Sequence, residues 1–135
     1  MTNGTNSHNV SYPQIMFLTG LLNSHTNTAS VMRSNDIQFD IQRNHGDDIR
    51  LICLNEYTCG LAKIYEVLDE FPGTNLFYVG GNWNSYTLEA KEYCLQSQFG
   101  LYNSAEINGG LHRNDFWAYH QRDRKGDPLY QTKGS

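Results

Sequence analysis

The sequence predicts an α/β domain, a three-layer α/β/α sandwich around a mixed central sheet, and three observations carry that prediction. Residues 37–41 alternate between apolar and polar side chains, as in a strand with one buried face. The turn-forming segment NHGDD follows, and then IRLICL at residues 49–54, whose nearly continuous apolar character is typical of a central strand. A helical pattern separates that strand from the largely apolar segment NLFYV at residues 75–79. Because strands joined through a helix run parallel, the sheet is expected to be mixed.

The first third of the chain divides into an arm, a helix and a connection. Residues 1–12 are rich in Asn, Ser, Thr and Gly and are expected to form a flexible arm. A helix is predicted to begin near Pro13, since proline suits a first helical turn, and to end by His25. Residues 26–34 are expected to make a connection or a short strand.

The second half of the chain alternates helices and strands. LAKIYEVLDEF, residues 61–71, has apolar residues at helical spacing, and the following Pro-Gly ends the helix. A second helix is predicted after Thr87, which can cap it, and residues 99–104 form a short last strand. The domain is therefore expected to span residues 13–111, followed by a C-terminal extension and tail at 112–135.

Composition limits the function classes. The chain has 10 Lys and Arg against 14 Asp and Glu, a formal net charge of −4, so it has no overall positive field for binding nucleic acid. The three cysteines form no CxxC pair, which favours a reducing, cytoplasmic compartment. Because the N-terminus is polar, a signal peptide is not expected. No apolar run is long enough to span a membrane, so a membrane is not expected as a partner.

The order of elements from residue 37 to residue 111 resembles that of the restriction-endonuclease-like, PD-(D/E)xK superfamily, and its Mrr-type branch in particular. In that branch a hydrophobic strand carries an Asp, and FDIQ presents Asp40 at this place. A hairpin, a strand and an amphipathic helix follow. Further along, NLFYVGGNWNSYTLEAKEYC and FGLYNSAEINGGL resemble the strand, polar loop, helix and strand of the family.

The resemblance implies Mg²⁺-dependent hydrolysis of a phosphodiester, with carboxylates converging on the cation. Asp40 is then the first expected metal ligand. The Glu-x-Lys motif of the family falls on Cys53 and Asn55, which supply neither a carboxylate nor an ammonium group. Here the sequence departs from the family.

Two interpretations of this departure remain open. In the first, the missing groups have moved to the following helix, and a rebuilt catalytic site consists of Asp40, Lys63 and either Glu56 or Glu66. In the second, Lys63 and Glu66 are an i, i+3 pair on the solvated face of an amphipathic helix.

The segment GGNWNSYT, residues 80–87, is a candidate for binding nucleic acid or another anion. It lies between a predicted parallel strand and a helix N-terminus, where α/β proteins place anionic ligands. Its side chains can contact a phosphate or stack on a base. The candidate residues are Asn82, Trp83, Asn84, Ser85 and Tyr86. Alternatively, the aromatic residues cover the edge of the core and the asparagines form the turn.

The resemblance implies a role in nucleic-acid processing or defence, with DNA as the partner. The chain is then either a divergent Mg²⁺-dependent nuclease or a derivative that has lost cleavage. The absent Glu-x-Lys and the acidic pI of about 5.6 favour an alternative, a non-enzymatic module that binds DNA, a nucleotide or a protein. An aromatic segment near the C-terminus is expected to dock on the domain or to form a homo-oligomer contact; it comprises Phe116, Trp117 and Tyr119.

Overall fold

The computed structural model describes residues 4–80 and 84–132 as an α/β fold with four helices and a mixed five-stranded central sheet. The helices are α1 (Tyr12–Ser24), α2 (Leu61–Glu70), α3 (Leu88–Ser97) and α4 (Ile107–His112). The strands are β1 (Thr28–Ser34), β2 (Gln38–Arg43), β3 (Ile49–Leu54), β4 (Thr58–Cys59), β5 (Leu76–Val79), β6 (Ser85–Tyr86), β7 (Gly100–Asn103), β8 (Gln121–Arg122) and β9 (Pro128–Leu129).

The central sheet has the order β1-β2-β3-β5-β7. Strand β2 runs antiparallel to both β1 and β3. Strand β5 runs parallel to β3, and β7 runs parallel to β5. The predicted hairpin and the predicted helical crossover are both confirmed. The structure is therefore an α/β fold with a mixed sheet, and the segment expected to be a connection or short strand is the edge strand β1.

Helix α1 begins with a capping box. The Ser11 hydroxyl accepts a hydrogen bond from the Gln14 backbone N–H, and the Gln14 side chain accepts one from the Ser11 backbone N–H. The inner face of α1 carries the buried residues Ile15, Leu18 and Leu22. The outer face exposes Tyr12, Met16 and Phe17. Local capping thus sets the start of the helix one residue before the predicted Pro13.

Helices α2 and α3 each bury one side. Ile64 and Val67 are the buried residues of α2. The Thr87 hydroxyl accepts a hydrogen bond from the Ala90 N–H at 3.1 Å, which confirms the predicted cap of α3. The two helices meet through an edge-to-face contact of Tyr65 and Tyr93, with ring centroids 5.2 Å apart. None of the helices in the described part of the chain is long and apolar enough to cross a membrane.

The C-terminal segment packs on the domain. Phe116 is buried in a short 3-10 turn, and its carbonyl accepts a hydrogen bond from the Tyr102 hydroxyl. The Tyr119 ring meets the Tyr102 ring edge-on, with centroids 6.0 Å apart. Beyond this turn, β8 and β9 form a small antiparallel hairpin that the sequence pattern did not indicate. Of the two expectations for the aromatic segment, docking on the domain is the one that these contacts support.

Candidate functional site

Asp40 forms a local ion pair on the sheet. It lies opposite Arg50 in the register of β2 and β3, and its carboxylate accepts a hydrogen bond from Arg50 Nε at 2.8 Å and another from Gln38 Nε2 at 3.2 Å. Both members of the ion pair are 38% exposed. The hydrogen bond to Asp40 raises the pKa of Arg50. Asp40 therefore has a cationic partner from the neighbouring strand.

The two residues at the Glu-x-Lys positions, Cys53 and Asn55, pack in the core and connect two loops, respectively. Cys53 is fully buried in β3, and burial raises the pKa of its thiol to about 12. Asn55, just after β3, donates a hydrogen bond to the Asn9 carbonyl at 2.9 Å and accepts one from Asn84 Nδ2 at 2.7 Å. Cys53 is thus a buried thiol of the core, and Asn55 joins the N-terminal arm to the loop between β5 and β6.

Glu56 follows Asn55, close to another buried thiol. Burial, and to a smaller degree the charge of Glu56, raises the pKa of Cys59 to about 12. Glu56 thus lies near the end of β4, on the chain segment that leads into α2.

Lys63 and Glu66 form the i, i+3 pair of the second interpretation, and His8 joins them. Lys63 Nζ lies 2.7 Å from Glu66 Oε2 and 2.7 Å from His8 Nδ1. The other ring nitrogen of His8 lies 2.8 Å from Glu70 Oε1. His8 is buried, whereas the Glu66 side chain is 58% exposed. The hydrogen bond from Lys63 lowers the pKa of Glu66. Asp40 belongs to a separate group of contacts, in which its partners are Gln38 and Arg50.

Asp36 is a buried carboxylate that the sequence reasoning missed. It lies just before β2 and is 2% exposed. Its oxygens accept hydrogen bonds from the Gly4 N–H at 3.0 Å, from Asn6 Nδ2 at 2.7 Å and from Arg33 Nη1 at 3.1 Å. Burial and, to a smaller degree, the charge of Asp36 raise the pKa of Cys53, so Asp36 lies near the strand position of the family motif. A carboxylate immediately before a strand was the only signal in the sequence.

The Mg²⁺ that the resemblance implies does not fit these residues as they are arranged. Asp40 is paired with Arg50, Glu66 is paired with Lys63, and Asp36 accepts hydrogen bonds from Gly4, Asn6 and Arg33. Among residues 4–80 and 84–132, no three His, Cys, Asp or Glu side chains are grouped so that they could hold a metal ion. Divalent cations need several oxygen ligands around one point, and the carboxylates here are directed to separate partners.

The N-terminal arm docks over the ends of β2 and β3. Gly4 and Asn6 bind Asp36, His8 lies between Lys63 and Glu70, and Asn9 accepts from Asn55. A polar cavity of about 630 Å³ lies between the arm and the domain. The flexibility expected for residues 1–12 stays a prediction, but residues 4–10 have a defined docked position, which suggests the following experiment.

His8→Ala is expected to release the arm. The substitution removes the contacts with Lys63 and Glu70 and leaves an unfilled buried space beside Phe71, whose ring centroid lies 5.9 Å away. Loss of two charge-assisted hydrogen bonds costs about 2 kcal/mol, so backbone amides of the arm should exchange with deuterium roughly 30-fold faster. The exposed neighbour Ser7→Ala is the control and should leave exchange unchanged. Equal protection in the His8→Ala protein would contradict the docked arrangement.

The loop predicted to bind nucleic acid is described at Gly80 and from Asn84 onward; residues 81–83, which include Asn82 and Trp83, lie outside the described residues. Asn84 donates to Asn55 and to the Gly80 carbonyl. Ser85 is buried, and its hydroxyl has no hydrogen-bond partner among the described residues. Tyr86 is fully buried, as the alternative interpretation of this loop expects.

A buried polar cluster around Lys91 was not predicted. Lys91 is fully buried, and its Nζ donates to the Leu101 carbonyl at 2.8 Å. The ammonium group also lies 4.3 to 5.5 Å from the centroids of three aromatic rings, those of Tyr86, Tyr102 and Tyr130. Burial lowers the pKa of Lys91 to about 8, and the charge of Glu106 opposes that change.

Glu106 is the acidic member of this cluster and is also fully buried. Its carboxylate accepts hydrogen bonds from the Tyr86 hydroxyl at 2.6 Å and from the Asn103 N–H at 3.2 Å. The Tyr86 hydroxyl in turn accepts from the Gln131 N–H at 3.1 Å. The cluster therefore ties the C-terminal segment to β6 and β7, and its polar groups are directed toward one another.

The chain matches no protein family, no curated protein and no solved structure. The candidate site therefore depends on the residues described above and on the resemblance in the order of elements and motifs.

Proposed function

We propose that this chain is a restriction-endonuclease-like domain that binds nucleic acid and has lost cleavage. The proposal is carried by the order of the strands and helices together with the residues at the two Glu-x-Lys positions, one in β3 and one just after it. Along the central sheet from residue 38 to residue 103, two antiparallel strands, a helix, a parallel strand, a helix and a second parallel strand follow one another, in the order that the resemblance implies. The two positions of the Glu-x-Lys motif hold the buried Cys53 and the loop-binding Asn55.

Loss of cleavage is supported by the partners of the predicted catalytic side chains. Hydrolysis of a phosphodiester requires charges that stabilise the transition state. Arg50 neutralises Asp40, and the Lys63 ammonium group is bonded to Glu66 and faces His8. The alternative is that the domain is an active Mg²⁺-dependent nuclease with Asp40 as its first metal ligand. In that case the ion pair between Asp40 and Arg50 has to break before the metal binds.

Nucleic acid is proposed to bind at the end of the sheet where β3 and β5 finish. Asn55 and Asn84 lie there, and the preceding residue in the sequence, Trp83, is proposed to stack on a base. The outer faces of α2 and α3 repel phosphate because they carry acidic side chains: Glu66, Asp69, Glu89 and Glu92. This charge distribution directs a nucleic acid away from the helices.

Fluorescence anisotropy with labelled single-stranded and duplex oligonucleotides tests the binding. Stacking on one base contributes about 1 to 3 kcal/mol, so Trp83→Ala should raise Kd roughly 5- to 150-fold. Tyr65→Ala, which removes an exposed aromatic ring on the acidic face of α2, is the control and should leave Kd unchanged. Absence of binding at low salt, where phosphate contacts are strongest, would refute the proposed ligand.

A second candidate function is binding of a protein with a basic surface. It is favoured by the acidic outer faces of α2 and α3, where Lys63 is paired with Glu66 and Lys91 is buried. Complementary charge accelerates association and contributes specificity. If no nucleic acid binds, this candidate takes the place of the first.

A further inference from the structure

The His25 ring is held in one protonation state by its hydrogen bonds. His25 caps the C-terminus of α1 and is buried. Its Nδ1 accepts a hydrogen bond from the Asn27 backbone N–H at 3.1 Å, and its Nε2 lies 3.1 Å from the Asn108 carbonyl oxygen in α4. Because a carbonyl oxygen only accepts, Nε2 carries the ring proton and Nδ1 carries none. The ring therefore fits this place in its neutral form.

Asn27, whose N–H the His25 ring binds, joins three parts of the fold. Its side-chain Nδ2 donates to the Leu111 carbonyl at 3.0 Å and to the His45 carbonyl at 3.1 Å, and its Oδ1 accepts from the His45 N–H at 3.0 Å. The His45 ring itself is bonded to Asn114. These bonds attach the end of α4 and the hairpin between β2 and β3 to the start of β1. All of them depend on the position of the Asn27 backbone, which His25 holds.

A second proton on the His25 ring has only Nδ1 to bind. The Asn27 N–H would then meet an N–H donor instead of an acceptor, and a buried donor without an acceptor is destabilising. Burial accordingly lowers the pKa of His25, and the hydrogen bond to the Asn108 carbonyl opposes part of that change. Protonation thus breaks the contact that fixes Asn27.

The charges around the ring also disfavour a cation. The ring centroids of His25 and His112 are 4.2 Å apart, and the charges of His112 and Arg43 both lower the pKa of His25 further. Asp47 and Asp48, in the hairpin, favour the charged form of Arg43. Helix α1 has no acidic or basic side chain, and His112 is the one such residue of α4. Acidification therefore brings positive charges together at this junction.

We infer that His25 is a pH-sensitive latch, which in its neutral form holds α4 against the end of α1 and the start of β1 and which releases α4 when it is protonated. The inference is independent of the proposed function. An unfolded chain takes up the proton at the ordinary pKa of 6.5, whereas the folded protein takes it up only at lower pH. The stabilisation is therefore complete above pH 6.5 and is lost as the pH falls below that value.

Urea denaturation of the wild-type protein and of His25→Asn tests the latch. Asparagine does not titrate, and its short side chain keeps an acceptor for the Asn27 N–H. From about pH 8 to about pH 5, the ratio of folded to unfolded wild-type protein should fall several-fold further than that of the variant, and at most about 30-fold further, the limit for an unfolded pKa of 6.5. His120→Asn, at a partly buried histidine of the C-terminal segment, is the matched control and should keep the wild-type dependence.

Nitrogen NMR of the wild-type protein gives a readout that needs no variant. At about pH 8 the His25 ring should be the Nε2–H tautomer. The amide signals of Asn27 and of residues 107–112 should shift together as the ring is protonated, whereas a histidine with a merely structural role would leave α4 unmoved. Parallel loss of stability in the wild-type protein and His25→Asn would overturn the inference. So would a ring that carries its proton on Nδ1 at about pH 8, or α4 signals that do not follow the titration of His25.

Discussion

Lys91→Ala should lower the free energy of unfolding by about 3 to 5 kcal/mol, because it leaves a buried charge without its partner. The substitution removes the ammonium group whose charge interacts with that of Glu106 and deprives the Leu101 carbonyl of its donor. It also empties the space over the Tyr102 ring, 4.3 Å from Lys91 Nζ. Chemical denaturation at neutral pH, followed by circular dichroism, measures the change.

A double-mutant cycle separates charge from volume. Lys91→Met keeps most of the volume but leaves the Glu106 carboxylate buried beside apolar groups. In the double variant Lys91→Met with Glu106→Gln, both charges are gone and the amide oxygen can still accept from the Tyr86 hydroxyl. The double variant should therefore be more stable than Lys91→Met alone. Additive losses, or a loss below about 1 kcal/mol in Lys91→Ala, would contradict a buried charge pair.

The same cluster predicts a pH dependence. Burial lowers the pKa of Lys91 from 10.5 in the unfolded chain to about 8. Between these values the unfolded chain holds the proton that the folded protein has released, so stability rises with pH in that window. Below pH 8 both states are protonated and the contribution is constant. The stability of the wild-type protein relative to Lys91→Met should therefore increase between pH 8 and 10.5.

Arg43→Ala should cost roughly 3 kcal/mol, because the guanidinium group connects three parts of the fold. Arg43 is 6% exposed and donates to the Asp47 carbonyl at 2.9 Å, the Arg113 carbonyl at 2.6 Å and the Leu111 carbonyl at 3.2 Å. It also lies over the Phe116 ring, 5.4 Å from its centroid. The hairpin between β2 and β3 is thereby joined to the end of α4 and to the aromatic segment.

Two variants test this explanation. Arg122→Ala removes an exposed arginine that donates to the Gly126 carbonyl, and it should change stability by less than about 0.5 kcal/mol. Arg43→Lys should recover little of the loss, since a single ammonium group cannot reproduce the fork of the guanidinium. Equal stability of Arg43→Ala and Arg122→Ala in urea would contradict the role assigned to Arg43.

The framework of the fold could be predicted because its signals are local. The alternation at residues 37–41 and the apolar run at 49–54 are complete within a few residues, and each corresponds to an observed strand. The cap at Thr87 likewise depends on a residue three positions away. The hairpin of β8 and β9 lacked such a signal, since its two-residue strands are polar or exposed.

The candidate site was less predictable because its contacts are distant in sequence. Asp36 is bound by Gly4, 32 residues away, and His8 meets Glu70, 62 residues away. The burial of Lys91 likewise depends on aromatic rings of three different segments. Sequence spacing did identify the Lys63 and Glu66 pair, because those residues are one helical turn apart. It gave no sign that His8 would join them.

Incubation of the purified protein with supercoiled plasmid, linear duplex and single-stranded DNA in Mg²⁺ or Mn²⁺ tests the central proposal most directly. Asp40→Ala is the matched control, since Asp40 is partly exposed and its ion pair lies on the surface of the sheet. If the chain has lost cleavage, the wild-type protein should cut none of the three substrates more than the Asp40→Ala protein does. Cleavage by the wild-type protein that disappears in Asp40→Ala would contradict it and establish a rebuilt nuclease site.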